Sequence, residues 1–328
     1  MTEGLYPLKF KPIFKDKIWG GNKLKNILHK KNASDKCGES WEISGVQGSI
    51  SVVQNGYLAE NDLQELIEIY MGELVGEKVY DKFGDEFPLL IKFIDANDNL
   101  SIQVHPDDKL AWKRHNAYGK TEMWYIIQAD KSSELISGFR EEINKEKYLE
   151  AFNSNKLTEI LNYYKVKQGD VYYMPAGRVH AIGKGILLAE IQQTSDITYR
   201  IFDWNRVDDK GKPRELHTEL AVDAIDYKKY NNYKINHQKI LNEFSNIIEN
   251  QYFTTNILVF NKIIHRDYFA LDSFVVYICT KGKAIIYFDN RNETEVIGMG
   301  ETVLIPANIT SINLKPEIET EILEVYID

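Results

Sequence analysis

Between Gly169 and His180 the chain runs Gly-Asp-Val-Tyr-Tyr-Met-Pro-Ala-Gly-Arg-Val-His, and few backbones accommodate that order. A glycine turn opens a short apolar strand, and proline ends it because its nitrogen cannot continue a ladder. A second glycine turn then sends His180 into the next strand. The pattern therefore places an imidazole at a strand start, aimed into β structure. Short strands recur elsewhere, as in Leu89–Ile94, Val275–Ile278, Ala284–Phe288 and Thr302–Ile305. Many short strands between Gly, Pro and Asn-Asp turns predict a closed or sandwiched, mainly β architecture. Helix is expected only as short insertions. Asn61 reads as a cap, with Leu63, Leu66, Ile67, Tyr70, Met71 and Leu74 at helical spacing behind it. A first insertion over 61–84 ends before Pro88, and a second covers about 140–161. Residues 226–252, rich in Lys, Asn and Tyr, read as a connector with some helix.

Upstream of the glycine-proline frame stands Ser101-Ile102-Gln103-Val104-His105-Pro106. Alternate residues of a strand share a face, so Ser101, Gln103 and His105 point one way and Ile102 and Val104 the other. Polar residues on an inward face need partners, because burying them alone is costly. By the same parity Lys120, Glu122 and Trp124 share a face. His105, Glu122 and His180 thus arrive from separate strand-like segments. Two imidazoles and one carboxylate suit a zinc or iron ion and leave positions open for a substrate. Gln103 can add a weaker fourth ligand through its amide oxygen. His29, His115, His217, His237 and His265 lack such neighbours and are expected at the surface or in packing. Packing is likewise the expectation for Trp19, Trp41 and Trp124.

Bulk properties exclude several classes. The net charge of −9 over 328 residues argues against nucleic acid or an anionic membrane as a partner. Two cysteines, Cys37 and Cys279, make no disulfide framework and no Cys-x-x-Cys zinc site. The first residues lack the apolar stretch of a signal peptide, and no apolar run is long enough to span a bilayer. A cytoplasmic protein, monomeric or homodimeric, is expected.

The Gly169–His180 segment matches the second cupin motif, G-x5-P-x-G-x2-H, at every fixed position. The resemblance implies a cupin-type barrel. Gly300 to Ser311 repeats the G-x5-P frame, with Asn308 in place of the glycine and Ser311 in place of the histidine. A second, metal-free barrel is therefore expected. The division is a catalytic domain over 1–240, carrying both helical insertions, and a degenerate barrel over 241–328.

The combined motifs resemble type I mannose-6-phosphate isomerases (phosphomannose isomerases) in their short bacterial form. The matching stretches include Trp19-Gly20-Gly21, Glu39-Ser40-Trp41-Glu42, Leu90 to Ala96, Ser101-x-Gln103-x-His105-Pro106, Gly119-Lys120-Thr121-Glu122, Gly177-x-x-His180-Ala181 and Gln192-x-x-Ser195-Asp196-x-x-x-Arg200. They span the N-terminal two-thirds, and the remainder matches weakly. The resemblance implies one zinc ion per chain, held by His105, Glu122 and His180 with Gln103 as a fourth ligand. It implies a phosphorylated hexose substrate, isomerised by proton transfer through an enediol. Arg200 matches the arginine usually placed in the active site, the alternative being an ion pair to Asp196 or Asp203. Lys92, Lys120 and Ser101 are expected to bind phosphate or sugar oxygens, with Lys120 also catalytic. Glu190, on one face with Gln192, is expected to shuttle protons or support the ligands. The long forms' large helical domain is missing, which bears on substrate tolerance.

Other chemistries share this ligand set. A cupin dioxygenase also uses two histidines and a carboxylate, but Lys92, Lys120 and Arg200 fit a phosphorylated substrate better than an apolar one. A non-catalytic sugar-sensing cupin would carry a DNA-binding module, and no basic patch or helix-turn-helix pattern occurs.

Overall fold

The computed structural model describes residues 4–207, 210–288 and 293–328. Its first strands are β1 (Ile13–Gly21), β2 (Cys37–Ser44), β3 (Leu89–Ala96), β4 (Ile102–Val104), β5 (Glu122–Ala129) and β6 (Glu134–Phe139). They continue with β7 (Leu161–Lys165), β8 (Val171–Met174), β9 (His180–Ile182), β10 (Ile186–Gln193), β11 (Tyr199–Phe202) and β12 (Lys234–Ile235). These build a 7-stranded sheet in the order β1-β2-β3-β10-β5-β8-β12 and a 5-stranded sheet in the order β11-β4-β9-β6-β7. Further on come β13 (Phe244–Glu249), β14 (Thr254–Phe260), β15 (Ile264–Asp267), β16 (Val275–Lys281) and β17 (Lys283–Phe288). The last are β18 (Thr294–Gly298), β19 (Thr302–Ile305), β20 (Ser311–Pro316) and β21 (Thr320–Tyr326). They form a 5-stranded sheet, β13-β14-β21-β16-β19, and a 4-stranded one, β15-β20-β17-β18. The mainly β expectation holds, and every named pairing is antiparallel.

Strand parity explains how the layers stack. In β10, Leu187, Ala189 and Ile191 join a core with Ile91 and Phe93 of β3, Val276 and Ile278 of β16, and Leu323 and Val325 of β21. The largest sheets of the two pairs are thus packed back to back. Each fully buried Leu or Ile contributes about 1.5–3 kcal/mol, so this shared apolar layer dominates the join. The other face of β10 changes character along its length. Ile186 and Leu188 pack with Ile94, Trp124, Ile126, Tyr172 and Ile182 in the interior of the first sheet pair. Glu190 and Gln192, of the same parity, are buried but polar. One end of that interior is therefore apolar and the other is built for chemistry.

Short helices fill the edges: α1 (Lys23–Asn26), α2 (Leu63–Tyr70), α3 (Gly72–Val75), α4 (Glu77–Phe83), α5 (Asp108–His115), α6 (Lys145–Asn153), α7 (Leu157–Ile160) and α8 (Thr218–Ala224). Both expected insertions are helical. The first cap is Asp62 rather than Asn61: its side chain accepts from Glu65 N, and Glu65 bonds back to Asp62 N, a reciprocal capping box. Gly84, at φ 62, stops this stretch before Pro88 is reached. The connector over 226–252 departs from expectation, for it contains strands β12 and β13 and no helix. Pairing of β13 with β14, which buries Ile247 and Ile248, outweighs any local helical preference there. Helix α5 was not expected either. Asp107 starts it by accepting from Leu110 N, a cap that its low amphipathicity disguises.

Candidate metal centre

Two cross-strand rows on facing sheets make up the site. In the 5-stranded sheet, Gln103 of β4 lies opposite His180 of β9 on one side and Arg200 of β11 on the other. In the 7-stranded sheet, Glu190 of β10 lies opposite Lys92 of β3 and Trp124 of β5, and Gln192 lies opposite Glu122. Paired residues share a face, so both rows project into the same interior. His105 follows the end of β4 at the parity of Gln103. The tight turn before β9 depends on Gly177 at φ +88, where an added Cβ would sit 3.1 Å from Ala224 O.

His105, Glu122 and His180 are each about 1% exposed, and their ligand atoms lie within 4.8 Å of one another. Among the described residues no other group of His, Cys, Asp and Glu is brought together in this way. Each imidazole is oriented by a carbonyl: His105 Nδ1–H donates to Ile197 O and His180 Nδ1–H to Arg178 O, both at 2.9 Å. Those bonds fix the tautomers, leaving both Nε2 lone pairs directed at Glu122. Nε2 of His105 is 3.1 Å from Glu122 Oε1, and Nε2 of His180 is 3.7 Å from Oε2. Burial, reinforced by the Lys120 ammonium, lowers His105 to about 3, and burial also lowers His180. Both rings are thus neutral, the form that ligates. Burial would raise the Glu122 carboxyl, but the Lys120 ammonium beside it outweighs burial and holds it well below the usual range.

The donors fit a divalent cation. Glu122 Oε1 is buried and accepts no well-formed hydrogen bond, although Lys120 Nζ lies 3.0 Å away. A carboxylate oxygen left so, on a carboxylate that two imidazole lone pairs face, is suited to a metal. Gln103 brings its amide nitrogen within 3.3 Å of His180 Nε2, and a half-turn of the amide would put its oxygen there.

A cavity of about 360 Å³ opens beside this cluster, with Gln103, Lys120 and Glu190 in its wall. Ser101, Lys92 and Arg200 line it as well, so every residue expected at the site is in the cluster or the cavity. Their states differ. Lys92 is not free: its Nζ is 3.0 Å from Glu190 Oε1 and 2.6 Å from Gln192 Oε1. Glu190 is raised by burial and then by the charge of Glu122, which Lys92 only partly offsets. Arg200 pairs with neither Asp196 nor Asp203 among the described residues. Asp203 is taken by Arg206 at 2.6 Å and by Arg214 Nε at 2.8 Å. Among the described residues the Arg200 guanidinium donates once, from Nη1 to Glu215 O at 2.8 Å, and its buried Nε has no partner. Burial and then Arg214 lower its proton affinity. Arg214, which nothing in the sequence pattern singles out, lines the cavity from a loop outside any motif. Trp19 and Trp41 are buried, as expected, yet each also shows an edge to the cavity.

The second sheet pair makes a contrast. Ser311 begins β20 much as His180 begins β9. Its buried carboxylate, Glu324, is satisfied by Arg266 at 2.9 and 3.0 Å, Tyr268 at 2.6 Å and Asn256 at 2.7 Å.

Comparison with known proteins agrees with this geometry. Residues 7–135 match the family model of phosphomannose isomerase type I, catalytic domain. A mannose-6-phosphate isomerase of Bacillus subtilis (strain 168), ManA, is 44% identical over 221 residues, which are 67% of this chain and 68% of the relative. A mannose-6-phosphate isomerase of Streptococcus mutans is 42% identical over 219 residues, 67% of each chain. The crystal structure of the mannose 6-phosphate isomerase from Bacillus subtilis superposes with a TM-score of 0.89 at 31% identity, covering 98% of this chain and 100% of that one. A phosphomannose isomerase variant from Salmonella typhimurium shares the fold, with a TM-score of 0.81 at 17% identity over 98% of this chain and 100% of the other.

Proposed function

The chain belongs to the type I phosphomannose isomerase family, and from that premise we propose how its residues divide the work. It is an aldose–ketose isomerase that interconverts mannose 6-phosphate and fructose 6-phosphate. We assign one zinc ion per chain to His105, Glu122 and His180, with Gln103 as a fourth ligand. The observation that carries the assignment is the pair of carbonyl-anchored imidazoles facing the Glu122 carboxylate, whose Oε1 accepts no well-formed hydrogen bond.

The reaction moves a proton between C2 and C1 of the open-chain sugar through an enediol. Polarisation of the substrate's oxygens, as negative charge develops on them, is the chemistry that a bound divalent ion supplies. The remaining tasks fall to side chains. Glu190, its proton affinity raised by burial and by the charge of Glu122, is suited to take up and return a proton. Lys120, buried and 3.0 Å from Glu122 Oε1, offers N–H donors where a substrate oxygen would approach the cluster. Arg200 brings a permanent cation whose fork is largely unused. Ser101 and Lys92 complete a polar wall for sugar or phosphate oxygens. Two cupin-type units, 1–240 with the site and 241–328 without it, are the division we propose, in a cytoplasmic monomer or homodimer. Among the described residues no helix is long and apolar enough to cross a membrane.

Incubation with fructose 6-phosphate should yield mannose 6-phosphate, and a chelator should stop conversion. Turnover that persists in chelator would remove the metal from the mechanism. Failure of the metal-loaded protein to convert either sugar phosphate would defeat the functional assignment.

A further inference from the structure

The indole of Trp124 is fully buried, and its one polar atom has two acceptors. Nε1–H donates to Glu122 Oε2 at 3.1 Å and to Glu190 Oε2 at 2.9 Å. Register dictates both contacts. Glu122 precedes Trp124 by two residues on the same face of β5, and Glu190 lies directly opposite in β10. One N–H therefore bridges two buried carboxylates with different tasks. The far oxygen of Glu190 is held by Lys92 at 3.0 Å. The far oxygen of Glu122 is the one left without a well-formed hydrogen bond, 3.1 Å from His105 Nε2. The indole also packs edge-on against the His180 ring, with centroids 5.3 Å apart at 78°.

We infer that Trp124 is a positioning residue whose N–H sets which carboxylate faces the ligand cluster and which faces the substrate cavity. Two carboxylates held this close in a dry interior repel each other, and a donor shared between them offsets that repulsion. Engaging Oε2 of Glu122 leaves Oε1 as the ligand atom. Engaging Oε2 of Glu190 restrains a carboxylate that could otherwise turn into the ligand set and be lost to proton transfer. A phenylalanine would supply the apolar ring but not the N–H, and no other donor is bonded to both groups among the described residues. The inference rests on the metal assignment above and asks more of it: the ligand set is selected by an outer hydrogen bond.

The test uses the full-length protein with Co²⁺ as probe, read by its visible absorption bands and its dissociation constant. Trp124 is replaced by benzothienylalanine, in which sulfur stands for the N–H in a ring of nearly the same shape, and separately by phenylalanine (Trp124→Phe). The wild type should bind one Co²⁺. Both variants should bind it at least about tenfold more weakly, with shifted bands as the carboxylate set changes. An unchanged spectrum and affinity in the folded benzothienylalanine protein would overturn the inference. Weaker binding with an unchanged spectrum would also overturn it, by reducing Trp124 to packing. Should Trp124→Phe fail to fold, the isosteric replacement decides alone. A wild-type protein that takes up no Co²⁺ would instead overturn the metal assignment, and this inference with it.

Discussion

His180→Ala abolishes stoichiometric metal binding and, with it, isomerase activity, while the protein remains folded. Loss of an outer hydrogen-bond partner of a metal site typically costs 10–100-fold in affinity, so loss of a ligand should cost more than about 100-fold. The reason is geometric. Nε2 of His180 is directed at Glu122 because Nδ1–H is committed to Arg178 O, and no neighbouring imidazole can replace it. The second sheet pair supports tolerance of the change, because Ser311 starts β20 without disturbing the strand. Truncation leaves a cavity, and a lowered melting temperature is expected on that account. Metal analysis after dialysis, set beside a thermal melt, separates the two effects. One equivalent of metal retained in folded His180→Ala would refute the ligand assignment.

Arg200→Ala gives the opposite pattern, with metal retained and turnover lost. Removing one donor aimed at developing negative charge lowers kcat by about 10²–10³, or roughly 2.7–4 kcal/mol. The magnitude is expected because no carboxylate forms an ion pair with this cation among the described residues. Asp203, the natural partner by sequence distance, is already shared by Arg206 and Arg214. Among the described residues Arg200 spends one N–H, on Glu215 O, and its buried Nε has no hydrogen-bond partner. A half-buried guanidinium kept in that condition is costly unless a ligand completes it. Arg200→Lys should recover part of the rate, since it restores charge without the planar fork. Steady-state kinetics distinguish the roles: a fall in kcat marks stabilisation of the reacting oxygens, whereas a rise in KM alone would mark Arg200 as a phosphate anchor. Unaltered kcat and KM would return it to a structural part.

Much of the site was legible from parity and from one motif. The glycine-proline frame announced a strand-start histidine, and alternation put Gln103 with His105 and Lys120 with Glu122. What parity cannot supply is the partner across the sheet. Lys92 read as a cation for phosphate or sugar oxygens, yet β3 lies beside β10, and Glu190 and Gln192 neutralise and solvate it from 98 and 100 residues away. The same limit hid Trp124, whose indole could be placed in the interior but not between two carboxylates. Arg214 was invisible because a loop residue carries no periodic signal. The fold shows a parallel division. Mainly β structure and the helical insertions followed from local pattern. Strand β13 inside the Lys- and Asn-rich connector exists because β14 offers it an edge, which is a tertiary fact.

The measurement closest to the central claim is a zinc titration of protein stripped by chelator, followed by conversion of fructose 6-phosphate. Activity should begin near zero, rise linearly and stop rising at one equivalent per chain, the capacity of the His105–Glu122–His180 cluster. Full activity before zinc is added, or an endpoint other than one equivalent, would contradict it.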